Sequence, residues 1–552
     1  MILHKERVIE SVVLVVFAIA FLVTGSGNIL DSQITHPFPY GFYASDAFMH
    51  LGYSQGLEES GAWQHYPAYM SVGHSDVDAF NPPVFYQLGV LTRFINDLPL
   101  HDGLYQILTI MVLFACLTFY LLIHRYNPKV AMLSLPLMLL VNFGNFRIFY
   151  LFGTWIFAAG SFFLIVAFFF ISRMKDKQDV IMLGIILAAI AMTHTSEFIF
   201  SVLAIGFYLL IKLFTGGITV KEVIRYVVSG AIAVLLASNY LIIFSKTWAK
   251  TAPFRFQILR LEEYSGNIFP SLWTFPWGLL IICLIGLALT VMALRKKQND
   301  AAVFGLFMFI IGFSNFIGFG HRAFQTRHFW PIYLAVFFGF ALFQLMRTVP
   351  GARSIIITGA VSVAVIAAVA GLSYMPMRGP GLLDQFHWEA FSWIGHNLPQ
   401  DAKVLYFYGD IYNQNAVLFT SKRVSYRVLD ASIAKGIQEF RINRNYEVRT
   451  TGEDMSDYGY RTGLFSFGYH KEDDPEFYKN KERDICEFDY FVFDQATRNE
   501  VLAQYNLVVY ATMVEEKSVE RVFDNDVVII AKNKMVGGDC ITPKQFEVPA
   551  EA

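Results

Sequence analysis

The sequence predicts an α-helical, polytopic membrane protein of about eleven transmembrane helices, followed by a C-terminal mixed α/β domain held outside the cytoplasm. Three observations carry this. Of the 552 residues 55% are hydrophobic and 16% charged, with 54 phenylalanines, whereas a soluble chain has roughly a quarter of its residues charged. Apolar runs of about 16 to 23 residues recur between residues 8 and 373, each close to the length that crosses a bilayer. From about residue 378 the pattern changes to short alternating elements.

The first run, 8–24, follows a short basic start and leads into Val23-Thr-Gly-Ser-Gly-Asn-Ile-Leu30, which offers no convincing cleavage site, so it reads as a retained helix. Further runs lie near 104–123, 129–143, 150–172, 180–194, 197–213, 224–245, 275–294, 301–319, 329–346 and 354–373. Two polar breaks, Asn142-Phe-Gly-Asn-Phe-Arg147 and Thr193-His-Thr-Ser-Glu197, are either surface hairpins or half-helix junctions buried in the fold. No internal repeat relates the helices, so the inverted-repeat pattern of secondary transporters is not visible.

Basic residues set the orientation. Threaded alternately, the helices put Lys5, Arg7, Arg125, Lys129, Arg173, Lys175, Lys177, Lys221, Arg225, Arg295 to Lys297, Arg347 and Arg353 on one side, which is therefore cytoplasmic, as is the N-terminus. Segments 25–103 and 246–274, the link around His321–Arg327 and everything after about 374 fall on the other. Segment 26–92 has no Lys or Arg and six acidic residues: Asp31, Asp46, Glu58, Glu59, Asp76 and Asp78. The chain thus reads as a transmembrane domain, 1–376, including the first external loop 25–103 and the loop 246–274, and an extracellular or periplasmic domain, 377–552. In the latter, Phe386–His396 and Ala496–Tyr505 read as helices, and Lys403–Tyr408, Arg423–Leu429, Tyr490–Asp494, Leu507–Val514 and Val527–Ala531 as strands. Cys116 and Cys283 sit in apolar runs, leaving Cys486 and Cys540 as the pair able to form a disulfide.

Composition also excludes functions. A net charge of −2 and the absence of a basic arm argue against nucleic acid. No phosphate-binding glycine loop, dinucleotide motif, zinc-protease motif, serine elbow or paired-cysteine motif is present. The tryptophans Trp63, Trp155, Trp248, Trp273, Trp277 and Trp330 read mostly as interfacial belts.

The first external segment holds the most chemistry. Ser45 can cap a helix in which Asp46 and His50, four apart, share a face; the pair could hold a divalent cation, Mg or Mn, or activate a hydroxyl. The plainer reading is an acidic residue complementing a helix dipole. Asp76 and Asp78 follow at a spacing suited to oxygen coordination, so Asp46, Asp76 and Asp78 form the candidate metal set. Val84–Ile95 reads as an amphipathic helix in the interface. Glu197, beside His194 at the external boundary, is a second candidate for catalysis or a solvated turn residue. His321, Arg322, Arg327 and His328 form a basic cluster able to bind a lipid phosphate through guanidinium forks, or to anchor a helix end at headgroups; Arg255 and Arg260 could serve the same end.

The arrangement resembles the GT-C superfamily of polytopic glycosyltransferases. The features that carry it are Asp46-Ala-Phe-Met-His50 to Gly61, Asn81-Pro-Pro-Val-Phe-Tyr86, the Thr193-His-Thr195 break and His321-Arg322 to Pro331. Trp388 to Val404 and Arg521 to Lys532 are similar to the opening and closing segments of the external domain in archaeal oligosaccharyltransferase catalytic subunits. The resemblance implies a polyprenyl-phosphate-linked sugar donor used at the external membrane face, surrounding lipid, and an acceptor of unknown identity. Two departures bear on that acceptor. The acidic pair of the family's second external loop is replaced by Asn142 to Arg147, and its Trp-Trp-Asp-Tyr-Gly peptide-reading motif by Tyr406-Phe-Tyr-Gly-Asp410. A transferase with an acceptor other than an asparagine sequon, or a relative without catalysis, fits these changes. The rival readings are a membrane scaffold whose external domain binds a partner, and a lipid or polysaccharide transporter. On the enzymatic reading, Asp46 is expected to approach Arg322 and Arg327, and helices near 197–213 and 329–346 to form a groove for the prenyl chain.

Overall fold

A computed structural model describes residues 2–30, 38–39, 41–61, 69, 82–215, 217–242, 270–294, 299–314, 323–348, 354–373, 381–412, 415–450 and 481–546. The chain forms two compact units, one of residues 1–36, 82–242 and 254–378, the other of residues 37–81, 243–253 and 379–552.

A helix lies in each of the eleven apolar runs of the first unit. In chain order its helices are α1 (Ile2–Leu30), then α3 to α10 (Val84–Asn96, Leu100–His124, Pro128–Met138, Ile148–Phe152, Trp155–Arg173, Lys177–Ala191, Thr195–Thr215, Val220–Leu236), with α2 reserved for Ser45–Ser60 of the second unit. α11 (Trp277–Leu294), α12 (Asp300–Phe313), α13 (Trp330–Tyr333), α14 (Ala335–Met346) and α15 (Ile355–Ser373) follow. Six described helices are long and apolar enough to cross a bilayer, and a seventh span results if the bent pair Pro128–Asn142 and Gly144–Phe152 counts as one. The chain is a multi-pass membrane protein.

That pair bends by 72° at the Asn142 to Arg147 break. Asn142 is buried and donates from Nδ2 to the Phe21 carbonyl at 3.2 Å and to Thr24 Oγ1 at 3.1 Å, both on α1. The break is therefore a half-helix junction inside the bundle, and side-chain amide bonds take the place that water would fill at a surface turn. Close packing relies on small residues: a side chain at Gly286 of α11 would meet the Phe337 carbonyl, and one at Gly339 of α14 the Val130 carbonyl. Trp155 and Trp330, expected in interfacial belts, are fully buried and pack at a tilt against other rings in the core. Trp273 and Trp277 are exposed as a belt requires, at 70% and 62%, while Trp63 and Trp248 lie outside the described residues.

The second unit is built on a seven-stranded sheet. Its strands are β1 (Val404–Tyr406), β2 (Ser425–Val428), β4 (Asn445–Thr450), β5 (Lys481–Asp484), β6 (Tyr490–Asp494), β7 (Val519–Asp524) and β8 (Val528–Asn533), in the order β5-β4-β2-β1-β6-β8-β7; β3 (Arg441–Ile442) pairs with β9 (Lys544–Gln545) apart from it. β1 runs parallel to β2 and β6, and the outer pairings are antiparallel. Helices cover both faces. α16 (Gln385–Asn397) and α17 (Asn415–Ser421) cover the face to which Tyr406 and Asp494 point, through the Phe391–Tyr406 ring contact and the His387–Asp494 hydrogen bond. α18 (Asp430–Gln438) and α19 (Glu500–Glu515) cover the other, where Phe407, Phe493, Tyr505, Val509 and Met513 share one core.

Three sequence expectations change here. Leu507–Val514 is not a strand but the second half of α19: Ala503, Asn506, Val509 and Met513 are buried at spacings of three and four, a helical period that the β-branched run obscured. β4, β5 and β7 were not expected: β5 is charged at every position and β7 carries Glu520, Arg521 and Asp524, while β4 does alternate, with Tyr446 and Val448 buried and Glu447 exposed between them. Helix α2, expected in the external loop 25–103 counted with the transmembrane domain, falls in the same compact unit as residues 379–552. Cys486 and Cys540 do form a disulfide, with Cα atoms 5.3 Å apart.

Candidate functional site

α2 begins at Ser45, with Ala44 rather than Ser45 at the cap position, and ends at Gly61, whose φ of 67° places it in the left-handed region glycine favours. Asp46 stands exposed in its first turn, where a carboxylate complements the helix dipole. His50, one turn on, is buried. The helix is polar overall, and one face holds it in place. Ala47, Phe48, Leu51 and Ser54 are buried, Phe48 meets Phe42 edge-on at 5.2 Å, and Tyr53 packs on Phe419 of α17 at 6.3 Å. Gly52 lies so near the Phe419 ring that a side chain could not fit. Glu59 forms an ion pair with Lys422, the residue after α17, and Leu382 donates from its backbone to the Phe42 carbonyl at 2.6 Å.

A second polar cluster lies among the membrane helices. Glu197, in the first turn of α9, is buried and shares a hydrogen with His194 Nδ1, so it is not a solvated turn residue. Gly160 of α7 admits the pair, since a side chain there would press on His194 Cβ at 3.0 Å and Glu197 Cγ at 3.2 Å. A buried carboxylate in an apolar bundle is costly, and the hydrogen bond to the imidazole offsets part of that cost. Arg327, on the 3₁₀ segment Ala323–Phe329, is buried as well: Nε donates to the Gly312 carbonyl at 2.7 Å and the guanidinium lies 5.7 Å from the Trp330 ring centroid. His328 bonds through Nδ1 to the Phe146 carbonyl at 3.1 Å. Irregular backbone at 144–147, 192–195 and 323–329 thus supplies the polar groups of this cluster.

The structure brings Glu197 to His194. Asp46 and His50 belong to one unit and Glu197 and Arg327 to the other. Asp76, Asp78, Arg255, Arg260, His321 and Arg322 lie outside the described residues. Among the described residues no three His, Cys, Asp or Glu side chains converge as a metal site would require.

Sequence reasoning missed two features of the C-terminal unit. His387 bridges Asp384 (Nδ1 to Oδ2, 2.8 Å) and Asp494 (Nε2 to Oδ2, 2.9 Å). Burial alone would lower its pKa, but the two carboxylates outweigh burial and raise it to about 9. The Asp-x-x-His spacing at a helix start was a visible signal for half of it. The second feature is a small cleft of about 140 Å³, open to solvent, lined by Tyr408, Asp410, Arg427 and Asp430 at the carboxyl ends of β1 and β2. It falls on the Tyr406–Asp410 stretch, where Asp410 accepts from Tyr408 Oη at 3.1 Å and from the Arg498 backbone at 2.8 Å.

No family model and no curated protein sequence matches the chain. Solved structures do. ArnT from Cupriavidus metallidurans bound to undecaprenyl phosphate is similar over 97% of this chain and 99% of its own, at 11% identity and a TM-score of 0.52. The archaeal oligosaccharyltransferase AglB from Archaeoglobus fulgidus, in complex with an inhibitory peptide and a dolichol-phosphate, is similar over 75% of this chain and 64% of its own, at 12% identity and a TM-score of 0.53. The arabinofuranosyltransferase AftD from Mycobacteria covers 94% of this chain and 40% of its own, at 11% identity and a TM-score of 0.52. The chain spans less than two thirds of the oligosaccharyltransferase it matches. These neighbours are GT-C glycosyltransferases, and the chain has their fold.

Proposed function

We propose that this chain is a membrane glycosyltransferase that moves a sugar from a polyprenyl-phosphate-linked donor to an acceptor on the external face of the cell membrane. The observation that supports the reading is the match to ArnT over 97% of this chain and 99% of that one. Undecaprenyl phosphate in that structure and dolichol-phosphate in the archaeal one indicate the chemistry of the donor lipid.

In such a transfer the anomeric carbon exchanges its bond to phosphate oxygen for one to the acceptor, and polyprenyl phosphate leaves with the bonding electrons. The acceptor gives up a proton to a base. Asp46 is the proposed base, supported by His50, and Glu197 with His194 is the proposed proton-holding pair of the membrane unit. Arg322, with His321, Arg255 and Arg260, is proposed to meet the donor phosphate; Arg327, being buried, would do so only from within the helix bundle. α9 and the 329–346 segment would take the prenyl chain. A divalent cation is expected from the sequence at Asp46, Asp76 and Asp78, but the described residues do not make up a metal site, and no step is routed through one.

The test uses purified full-length protein and a panel of dolichyl-phosphate monosaccharides labelled in the sugar, scored by label leaving the lipid phase. Asp46→Asn should cut turnover by about a hundredfold or more, the loss of a general base, with folding retained because the change is isosteric. Arg322→Ala should raise the donor concentration needed. Unchanged turnover in Asp46→Asn would end the catalytic reading and leave the scaffold reading, in which the domain surface matters and Asp46 does not.

A further inference from the structure

We infer that α17 of the C-terminal domain is the platform that positions Asp46, so that the carboxylate moves with this domain although its segment is spliced between membrane helices. This rests on reading Asp46 as the catalytic carboxylate and adds to it which residues hold it.

The grounds are the contacts of α2. Both chain ends of the segment lead to membrane helices, yet residues 37–81 cluster with the C-terminal unit. The anchoring runs from the residues before the helix to its last turn. Before it, the backbone of Leu382 bonds to Phe42, and Gly381 lies against the Phe42 backbone. At mid-helix the Phe419 ring fills the space that a side chain at Gly52 would occupy. At its end Glu59 meets Lys422. The helix is held at Gly52 and Glu59 by α17 and the residue after it, and the chain just before it is held at Phe42; Asp46 sits in the first turn between these points, six residues before Gly52. Phe419 is thus a positioning residue: it reaches no reacting atom in this reading and acts through the placement of Asp46. Catalytic groups displaced by about an ångström can lose about a hundredfold in rate, so a loosened helix should be visible in turnover.

Two measurements on the full chain decide the matter. In protein with Cys116 and Cys283 replaced by serine, spin labels at Asp46→Cys and at exposed Glu520→Cys of β7 should give one narrow distance. Phe419→Ala should broaden it. Phe419→Leu, which keeps more of the packing, should broaden it less, and it serves if the alanine variant does not fold. In turnover assays with the labelled dolichyl-phosphate panel, Phe419→Ala should lower kcat by about tenfold or more at unchanged KM for the donor. In an Asp46→Asn background the same change should add nothing, an outcome that general destabilisation would not produce. A broad distance in the parent, or a narrow one untouched by both Phe419 variants, overturns the inference. If Asp46→Asn alone leaves turnover intact, the catalytic reading has failed instead, and the distance measurement still judges the platform.

Discussion

His387 shows how much one residue can hold in the C-terminal domain. It joins the start of α16, through Asp384, to the end of β6, through Asp494, and it stays protonated because both carboxylates face it. Its pKa is raised to about 9 from the ordinary 6.5, so its stabilisation is fully present below about pH 6.5 and is lost as pH rises through 9. Over that window the loss is about 3 kcal/mol. Asp384 works in the opposite direction: its pKa is lowered by His387 against the effect of burial, so its contribution is present at neutral pH and lost in acid. Thermal unfolding of the purified chain between pH 6 and 10 should therefore show a falling midpoint, and His387→Gln should flatten that slope while lowering the midpoint at pH 6. In the membrane unit, removal of the imidazole from the His194–Glu197 pair leaves a buried carboxylate alone. His194→Leu should cost about 3–5 kcal/mol and Glu197→Gln much less, as unfolding in detergent would measure. Of these residues, the sequence singled out Glu197 and His194 because ionisable groups in apolar surroundings stand out by composition. It missed the bridge to Asp494 because that contact spans 107 positions.

At the level of elements, the apolar runs were the most legible part, since each needs only local composition to declare itself and each carries a helix. The sheet was legible where its strands are buried and apolar, as in β1, β2, β6 and β8. It was not where charged residues crowd edge strands such as β5 and β7, or where a helix is rich in Val and Tyr, as in α19. The packing of α2 on α17 could not be read at all, because it depends on a contact between residues 52 and 419 with no local trace. The disulfide was readable by elimination among four cysteines. It joins the turn before β6 to the segment before β9 across 54 positions, a loop closure worth about 4 kcal/mol on the chain-entropy account. Replacing Cys486 and Cys540 by serine should lower the unfolding midpoint of the C-terminal domain and leave the membrane helices folded, which circular dichroism together with protease resistance of each unit would separate.

For the molecule as a whole, the threading inferred from basic residues has a counterpart in the contacts of the membrane unit. Glu10 of α1 lies 3.0 Å from His124 at the end of α4, and Arg125 Nη1 donates to Ser172 Oγ at the end of α7 at 2.6 Å. Arg173 pairs with Asp179 at the start of α8 at 3.0 Å, and Arg225 of α10 donates to the Met174 carbonyl at 3.1 Å. Lys212 at the end of α9 pairs with Glu222 of α10, and Tyr208 bonds to Asp300 at the start of α12 at 3.1 Å. These polar contacts join neighbouring ends of α1, α4, α7, α8, α9, α10 and α12, several of which carry the basic residues. The excess of Lys and Arg at these ends makes them the proposed cytoplasmic ends. The C-terminal domain follows α15, the last membrane helix, which threading carries to the opposite side, and the disulfide suits an oxidising compartment there. Single cysteines at Lys175 and at Phe440, both exposed, in a chain without Cys116 and Cys283, provide the test in intact cells. A membrane-impermeant maleimide should label position 440 and spare 175 until the membrane is opened. Labelling at 175 and protection at 440 would invert the orientation, and with it place the proposed transfer on the cytoplasmic face.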